Sequence, residues 1–221
     1  MTDTHPYTGH VRPGGDPEVR ELPDLVLTKV SVGDMDNNAY LLRCRSTGEQ
    51  LLVDAAAEAP RLLRLVGDDG LATVVTTHRH ADHHGALAEV VAATGALTVA
   101  GRDDAAELPV PVDRPVWDGD EVQVGRCRLE VIGLVGHTPG SVALLYDDPE
   151  GTPHLFTGDS LFPGGVGRTW QPGDFDRLLD DVTAKLFDRL PDETWFYPGH
   201  GDDSTLGEQR PNLAEWRARG W

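Results

Sequence analysis

His78-Arg79-His80-Ala81-Asp82-His83 packs four potential metal ligands into six residues, directly after the strand-like run Leu71-Ala72-Thr73-Val74-Val75-Thr76-Thr77. Residues two apart on extended backbone face the same way, so His78 and His80 can converge on one ion. Asp82 and His83 then turn toward a second position. The segment after them, Gly85 to Ala93, reads as a helix, where a carboxylate at Asp82 would also favour the N-terminus. Capping explains Asp82 alone and leaves three neighbouring imidazoles without a packing reason.

Three more candidates each close a strand-like run beside glycine: His137 in Gly136-His137-Thr138-Pro139-Gly140-Ser141, Asp159 in Phe156-Thr157-Gly158-Asp159-Ser160, and His200 in Tyr197-Pro198-Gly199-His200-Gly201. Strand ends and glycine-rich turns are where a rigid scaffold presents functional side chains. Five histidines and two aspartates are too many for one zinc ion, which takes about four ligands. They suffice for two, with three private ligands each, one bridging carboxylate and a bridging hydroxide, the ions roughly 3.5 to 4 Å apart. Two divalent ions are therefore the expected cofactor. Zinc is the first choice, and iron or manganese fits the same nitrogen and oxygen donors. His5 and His10 lie in a polar N-terminal stretch, His84 follows the cluster on the expected helix, and His154 sits outside any motif; all four are expected to be non-ligands.

The bulk composition narrows the partners. A chain of 221 residues with a 39% hydrophobic fraction reads as one folded domain, and no run of about 18 apolar residues is present to cross a membrane. The net charge of -18 disfavours nucleic acid, which needs clustered Lys and Arg. A small-molecule substrate is expected instead, and no feature sets an oligomeric state. Met1 to Pro6 carries neither the basic nor the apolar part of a secretory signal, and Cys44 and Cys127 stand far apart with no CxxC spacing. The expected location is cytoplasmic, with both thiols free and buried.

Residues 1–24 are rich in glycine and proline and read as a polar arm, ordered on contact or loose, before a domain over 25–221. Strands are expected at 25–32, 39–44, 51–53, 73–76 and 97–100, with helices at 61–66 and 86–93 among them. A second block has strands at 121–124, 127–135, 142–146, 154–157 and 195–197, with helices at 175–190 and 213–219. Two such blocks suggest an α/β protein with two facing sheets and helices outside. Leu161 to Arg168 is glycine-rich, but it does not open a helix after a first strand, so it is no phosphate cradle.

The four motifs, in this order and spacing, resemble the metallo-β-lactamase-fold hydrolase superfamily, and within it the glyoxalase II-like branch, over about Leu25 to Gly201. The resemblance implies a four-layer αββα sandwich with the metals at one edge. It implies His78, His80 and His137 on the first ion, Asp82, His83 and His200 on the second, and Asp159 bridging. Asp54, in Leu51-Leu52-Val53-Asp54, matches an aspartate that supports the site from behind. Gly167-Arg168-Thr169 resembles a pocket-lining segment, where Arg168 binds a substrate carboxylate or anchors its own loop. Trp170 stands where relatives of this branch often carry an acidic residue. Asp34 to Tyr40 resembles the hairpin at the site mouth, with Met35 and Tyr40 as substrate contacts, although a turn alone explains its Asp and Asn residues.

The activity so implied is hydrolysis of a small thioester or ester by a metal-activated hydroxide, in the manner of a hydroxyacyl-thiol thioesterase, with Asp82 as proton shuttle and Asp159 also catalytic. Full-length glyoxalase II resembles this core plus a C-terminal helical extension that helps hold glutathione. The chain ends at residue 221, so a short form without that extension is expected. Ser141 also replaces a histidine common at the end of the Gly136 motif. Alternatives on the same ligands are a lactonase and a persulfide dioxygenase-like enzyme with one iron held by two histidines and an aspartate. A non-enzymatic metal-binding sensor would be marked by lost ligands, and none is lost.

Overall fold

Strands buried on both faces need a packing partner on each side, and the long strands of this chain are of that kind. The computed structural model, which describes residues 7–220, arranges them in two sheets. The first runs in spatial order β1 (Glu18–Glu21), β2 (Leu25–Val32), β3 (Asn37–Cys44), β4 (Gln50–Val53), β5 (Thr73–Thr76), β6 (Leu97–Gly101) and β7 (Arg114–Val116). Its first four strands pair antiparallel, and β4 to β7 pair parallel. The second sheet uses β8 (Glu121–Val124), β9 (Cys127–Gly133), β10 (Val142–Tyr146) and β11 (His154–Gly158). After a small hairpin of β12 (Leu161–Phe162) and β13 (Gly165–Val166), it is completed by β14 (Trp195–Pro198), parallel to β11, and β15 (Ser204–Thr205). Among the described residues, five helices cover the sheets: α1 (Ala59–Val66), α2 (Leu87–Thr94), α3 (Asp174–Val182), α4 (Leu206–Gln209) and α5 (Leu213–Arg219).

Period-two alternation divides the apolar residues into three layers. Leu42, Leu51, Val75, Leu129, Leu144 and Phe156 meet between the sheets. Their chain neighbours Leu41, Leu52 and Val74 point outward under Leu62 and Val66 of α1 and Leu87 and Val90 of α2. On the opposite side, Ile132, Leu145, Leu155 and Phe196 pack under Leu178, Val182, Leu186 and Trp216. The order is helix, sheet, sheet, helix, as expected. Cys44 and Cys127 are free and buried, and no helix is long and apolar enough to cross a membrane among the described residues.

Several boundaries differ for physical reasons. The described part of the expected arm is ordered on contact with the domain: β1 pairs with β2, Leu22 and Val11 are buried, and the Tyr7 hydroxyl donates to Asp203 Oδ2 at 2.6 Å. Main-chain pairing holds this edge strand, so it needs no apolar periodicity. Edge strand β7 tolerates Pro115 for the same reason. The helix after Gly85 starts at Leu87, and Ala81–His83 forms a single 3-10 turn, so Asp82 does not cap α2. The helix expected over 175–190 leaves α geometry after Val182 and continues as a π turn through Phe187.

His154 is buried at the start of β11 and makes a pH-sensitive contact. Arg20 Nη1 donates to Tyr197 Oη at 3.1 Å, leaving the phenol proton to be donated to His154 Nδ1 at 2.8 Å. That bond requires neutral imidazole; burial and the nearby Arg20 cation push the pKa down to about 3. Since the unfolded histidine takes its proton near 6.5, stability is full above that pH and lost as pH falls toward the folded value. Between pH 7 and pH 5 the loss from this residue is expected to be about 2 kcal/mol. Urea unfolding at the two pH values should show wild type losing that much more than His154→Asn; equal losses would contradict the assignment.

Candidate metal centre

The candidate donors leave the ends of different strands at one edge of the sandwich. His78 follows β5, His137 lies between β9 and β10, Asp159 follows β11 and His200 follows β14. Hydrogen bonds between the sheets fix that edge: Val142 N to Thr77 O at 2.9 Å, and Asn38 N to Gly199 O at 2.7 Å. Among the described residues, three groups that could hold an ion result: His78, His80 and His137; Asp82, His83 and His200; and His78, His83 and Asp159. His78 Nε2 lies 3.1 Å from His80 Nδ1 and 3.3 Å from His137 Nε2. His83 Nε2 lies 3.2 Å from His200 Nε2 and 3.5 Å from Asp82 Oδ2, and the latter two atoms are 3.3 Å apart. Asp159 reaches both groups, with Oδ1 3.3 Å from His83 Nε2 and Oδ2 3.6 Å from His137 Nε2.

These separations fit a divalent ion. Donors about 2.0–2.1 Å from a tetrahedral centre stand about 3.3 Å from one another. The hydrogen bonds on the far side of four of the rings agree. His200 Nδ1 donates to Met35 O at 2.9 Å, His137 Nδ1 to Arg168 O at 2.7 Å, and His83 Nδ1 to Asp54 Oδ2 at 2.9 Å. Thr77 Oγ1 gives its proton to Asp54 Oδ2 at 2.8 Å and accepts from His78 Nδ1 at 3.1 Å. With Nδ1 protonated, each Nε2 is a bare lone pair. Lone pairs facing one another across 3.2–3.3 Å call for a cation between them. Asp159 Oδ1, buried with no hydrogen-bond partner in the structure, points the same way.

The electrostatics follow. Burial and its imidazole neighbours hold the His78 pKa well below the usual histidine range. Burial also opposes charge on Asp159, yet the imidazoles of His200 and His83 outweigh it and keep that carboxyl ionised. For His83, burial is likewise outweighed, here by Asp159 and Asp54: with no ion beside Nε2 the pKa rises to about 10, so a proton stands where the cation would. Close approach demands glycine at 199, where a Cβ would lie 2.2 Å from Asp159 Oδ1. Asp54 itself adopts φ of 57°, a strained conformation costing about 1–3 kcal/mol, held by its bonds to Thr77 and His83.

Other expected residues divide. Met35 and Trp170 are 58% and 54% exposed; the Trp170 ring stands edge-on to His80 at 6.1 Å, and Arg168 Cζ lies 4.4 Å over that indole. Tyr40 does not reach the mouth, contrary to expectation. It is buried between the sheets, its hydroxyl donating to Pro198 O at 2.6 Å, so it props the His200 loop. His10, His84 and His154 join none of the three groups, and His5 lies outside the described residues. His84 is not on α2; its Nε2 bonds Arg79 O at 3.1 Å.

The sequence reading missed the residues that hold the ligand loops from a distance. Asn37 Nδ2 donates to both Asp82 O and Asp82 Oδ2 at 3.0 Å. Asn38 Nδ2 bonds Pro198 O and Gly201 O at 2.9 Å. Buried Lys29 donates to Gly9 O, Gly201 O and Asp203 Oδ1, each at 2.7 Å. Asp104 ties two ligand loops together. The two asparagines sit in a stretch that looked like turn chemistry, and nothing local marks Lys29 or Asp104.

Residues 32–200 match the Metallo-beta-lactamase superfamily, whose fold binds divalent metals. A hydroxyacylglutathione hydrolase of Polaromonas sp. is 36% identical over 180 residues, 80% of this chain; the chain spans 66% of that relative's length. Among solved structures, ETHE1 from Myxococcus xanthus is 31% identical with a TM-score of 0.74, covering 87% of this chain and 84% of its own. TTHA1623 in a di-iron-bound form is 34% identical with a TM-score of 0.70, covering 82% and 96%. A match that runs from the end of β2 to His200, over this arrangement of sheets and helices, settles the family: the chain belongs to the metallo-β-lactamase superfamily.

Proposed function

We propose that this protein is a binuclear hydrolase cleaving a small thioester or ester, of the hydroxyacyl-thiol thioesterase type. The observation that carries the reading is Asp159, which reaches both three-donor groups: Oδ1 lies 3.3 Å from His83 Nε2, and Oδ2 lies 3.6 Å from His137 Nε2 and 3.5 Å from His200 Nε2. His78, His80 and His137 would hold one ion, and Asp82, His83 and His200 the other, with Asp159 shared. Bound there, such ions lower the pKa of a hydrolytic water toward neutrality and polarise the scissile carbonyl. No serine or cysteine nucleophile is then required. The name of the Polaromonas relative supports a thioester.

The chain's own residues complete the chemistry. Burial raises the Asp82 pKa, but His83 and Asn37 more than offset it, so a partly exposed, ionised carboxylate faces the pocket. It is the group placed to accept the water's proton. A thiol leaving group, with a pKa of about 8.5, departs as thiolate without further help. Arg168, its carbonyl fixed by His137 and its guanidinium stacked on Trp170, offers a planar fork to a substrate carboxylate. Trp170 and Met35 give the rim two apolar surfaces. The buried free thiols suit a reducing cytoplasm.

Two other readings use the same residues. The same donors serve a lactone as readily as a thioester. His78, His83 and Asp159 also form a group of two histidines and one aspartate, the donor type expected of a mononuclear iron oxygenase acting on a persulfide. Oxygen uptake with a persulfide separates that chemistry from hydrolysis.

Asp159→Ala should lose bound metal and lower thioester hydrolysis together, turnover falling at least 100-fold, as elemental analysis and a thiol-release assay would show; normal turnover would end the bridging assignment. Trp170→Asp, which restores an acidic rim, should raise KM about tenfold for thioesters with an apolar acyl group and leave kcat within a few-fold. An unchanged KM across acyl groups would remove Trp170 from recognition.

A further inference from the structure

Asp104 is fully buried on the loop after β6, and its carboxylate is saturated with donors from two other loops. Oδ2 accepts from Arg79 N at 3.0 Å and from Thr138 Oγ1 at 2.5 Å; Oδ1 accepts from Gly140 N at 2.9 Å. The Arg79 guanidinium adds Nε at 3.8 Å from Oδ1. Arg79 lies between His78 and His80, and Thr138 follows His137. A buried carboxylate is expensive unless fully hydrogen-bonded. Here every partner belongs to a residue adjoining a first-group donor or, in Gly140, to the same short loop.

The clamp is rigid at its base. Asp104 N bonds Gly101 O and Glu107 N bonds Asp104 O, both at 3.0 Å. The loops also press together, since a Cβ on Gly140 would lie 2.4 Å from Asp104 N. Asp54, by contrast, stands behind donors of both groups: it bonds His83 directly and reaches His78 through Thr77. Of these two buried carboxylates, Asp104 alone is confined to the loops of the first group.

We propose that Asp104 is a positioning residue for the His78, His80 and His137 group, setting its metal affinity without touching the metal by joining the loop of His78 and His80 to the loop of His137. This rests on reading those three histidines as ligands of one ion. Losing a group that orients metal ligands from behind costs roughly 10- to 100-fold in metal affinity. The loss should be selective, because the hydrogen bonds of Asp104 bypass Asp82 and His200.

The test uses the full chain as Asp104→Asn, which keeps volume and one acceptor oxygen, and as Asp104→Ala, which keeps neither. Metal retention would be read against a graded chelator, and the visible spectrum of each cobalt-loaded protein compared with His80→Ala and His200→Ala as references for damage to either group. The Asn variant, with a thermal midpoint near wild type, should release one ion 10- to 100-fold more readily and shift its spectrum toward that of His80→Ala; the Ala variant should do so more severely. Equal weakening of both ions, a spectrum resembling His200→Ala, or wild-type retention would overturn the proposal. If wild type itself holds a single ion, the two-ion reading fails separately. The Asp104 assignment then stands if that ion is weakened in both Asp104→Asn and His80→Ala, and falls if Asp104→Asn leaves it unchanged.

Discussion

Crowded, desolvated imidazole lone pairs are the constraint on which the rest of this structure depends. Four rings commit Nδ1 to an oxygen acceptor and turn Nε2 toward one another, an arrangement that repels unless positive charge sits among them. Such an arrangement has to be imposed from outside, since free side chains would rotate away. The scaffold imposes it through the strained turn at Asp54, the close approach at Gly199, and buried polar residues whose only evident work is to hold ligand loops.

The sandwich makes this possible because donors arrive from both sheets. β5 supplies the first cluster of histidines, while β11 and β14 of the facing sheet supply Asp159 and His200. Neither sheet alone contains a complete donor set. Cross-sheet bonds at Thr77 and Gly199 therefore fix the relative position of the sheets at the edge where precision matters. Lys29 adds a link from the N-terminal segment to the His200 loop, and its buried charge is satisfied by three oxygens. Stability and donor geometry are thus maintained by the same contacts.

The seven residues gathered at this edge were legible as a set because ligand chemistry is a local property of sequence: side-chain type, spacing and an adjacent glycine. The layer order was legible for a similar reason, since Leu41 with Leu42 and Val74 with Val75 point to opposite faces by period alone. Edge strands β1 and β7 were not, because main-chain pairing needs no side-chain pattern. Tyr40 was read as a mouth residue from its hairpin, although its parity with Leu42 and Cys44 assigns it to the space between the sheets. Asp104 and Lys29 act on loops distant in sequence, and only the folded chain reveals their partners.

The central claim is that two ions share Asp159, and the most direct measurement is metal content per chain. Protein purified without added metal should be analysed, and analysed again after reconstitution with zinc and with iron. The account predicts about two ions per chain for whichever metal fills the donors. A single ion that remains single after reconstitution with either metal would contradict it.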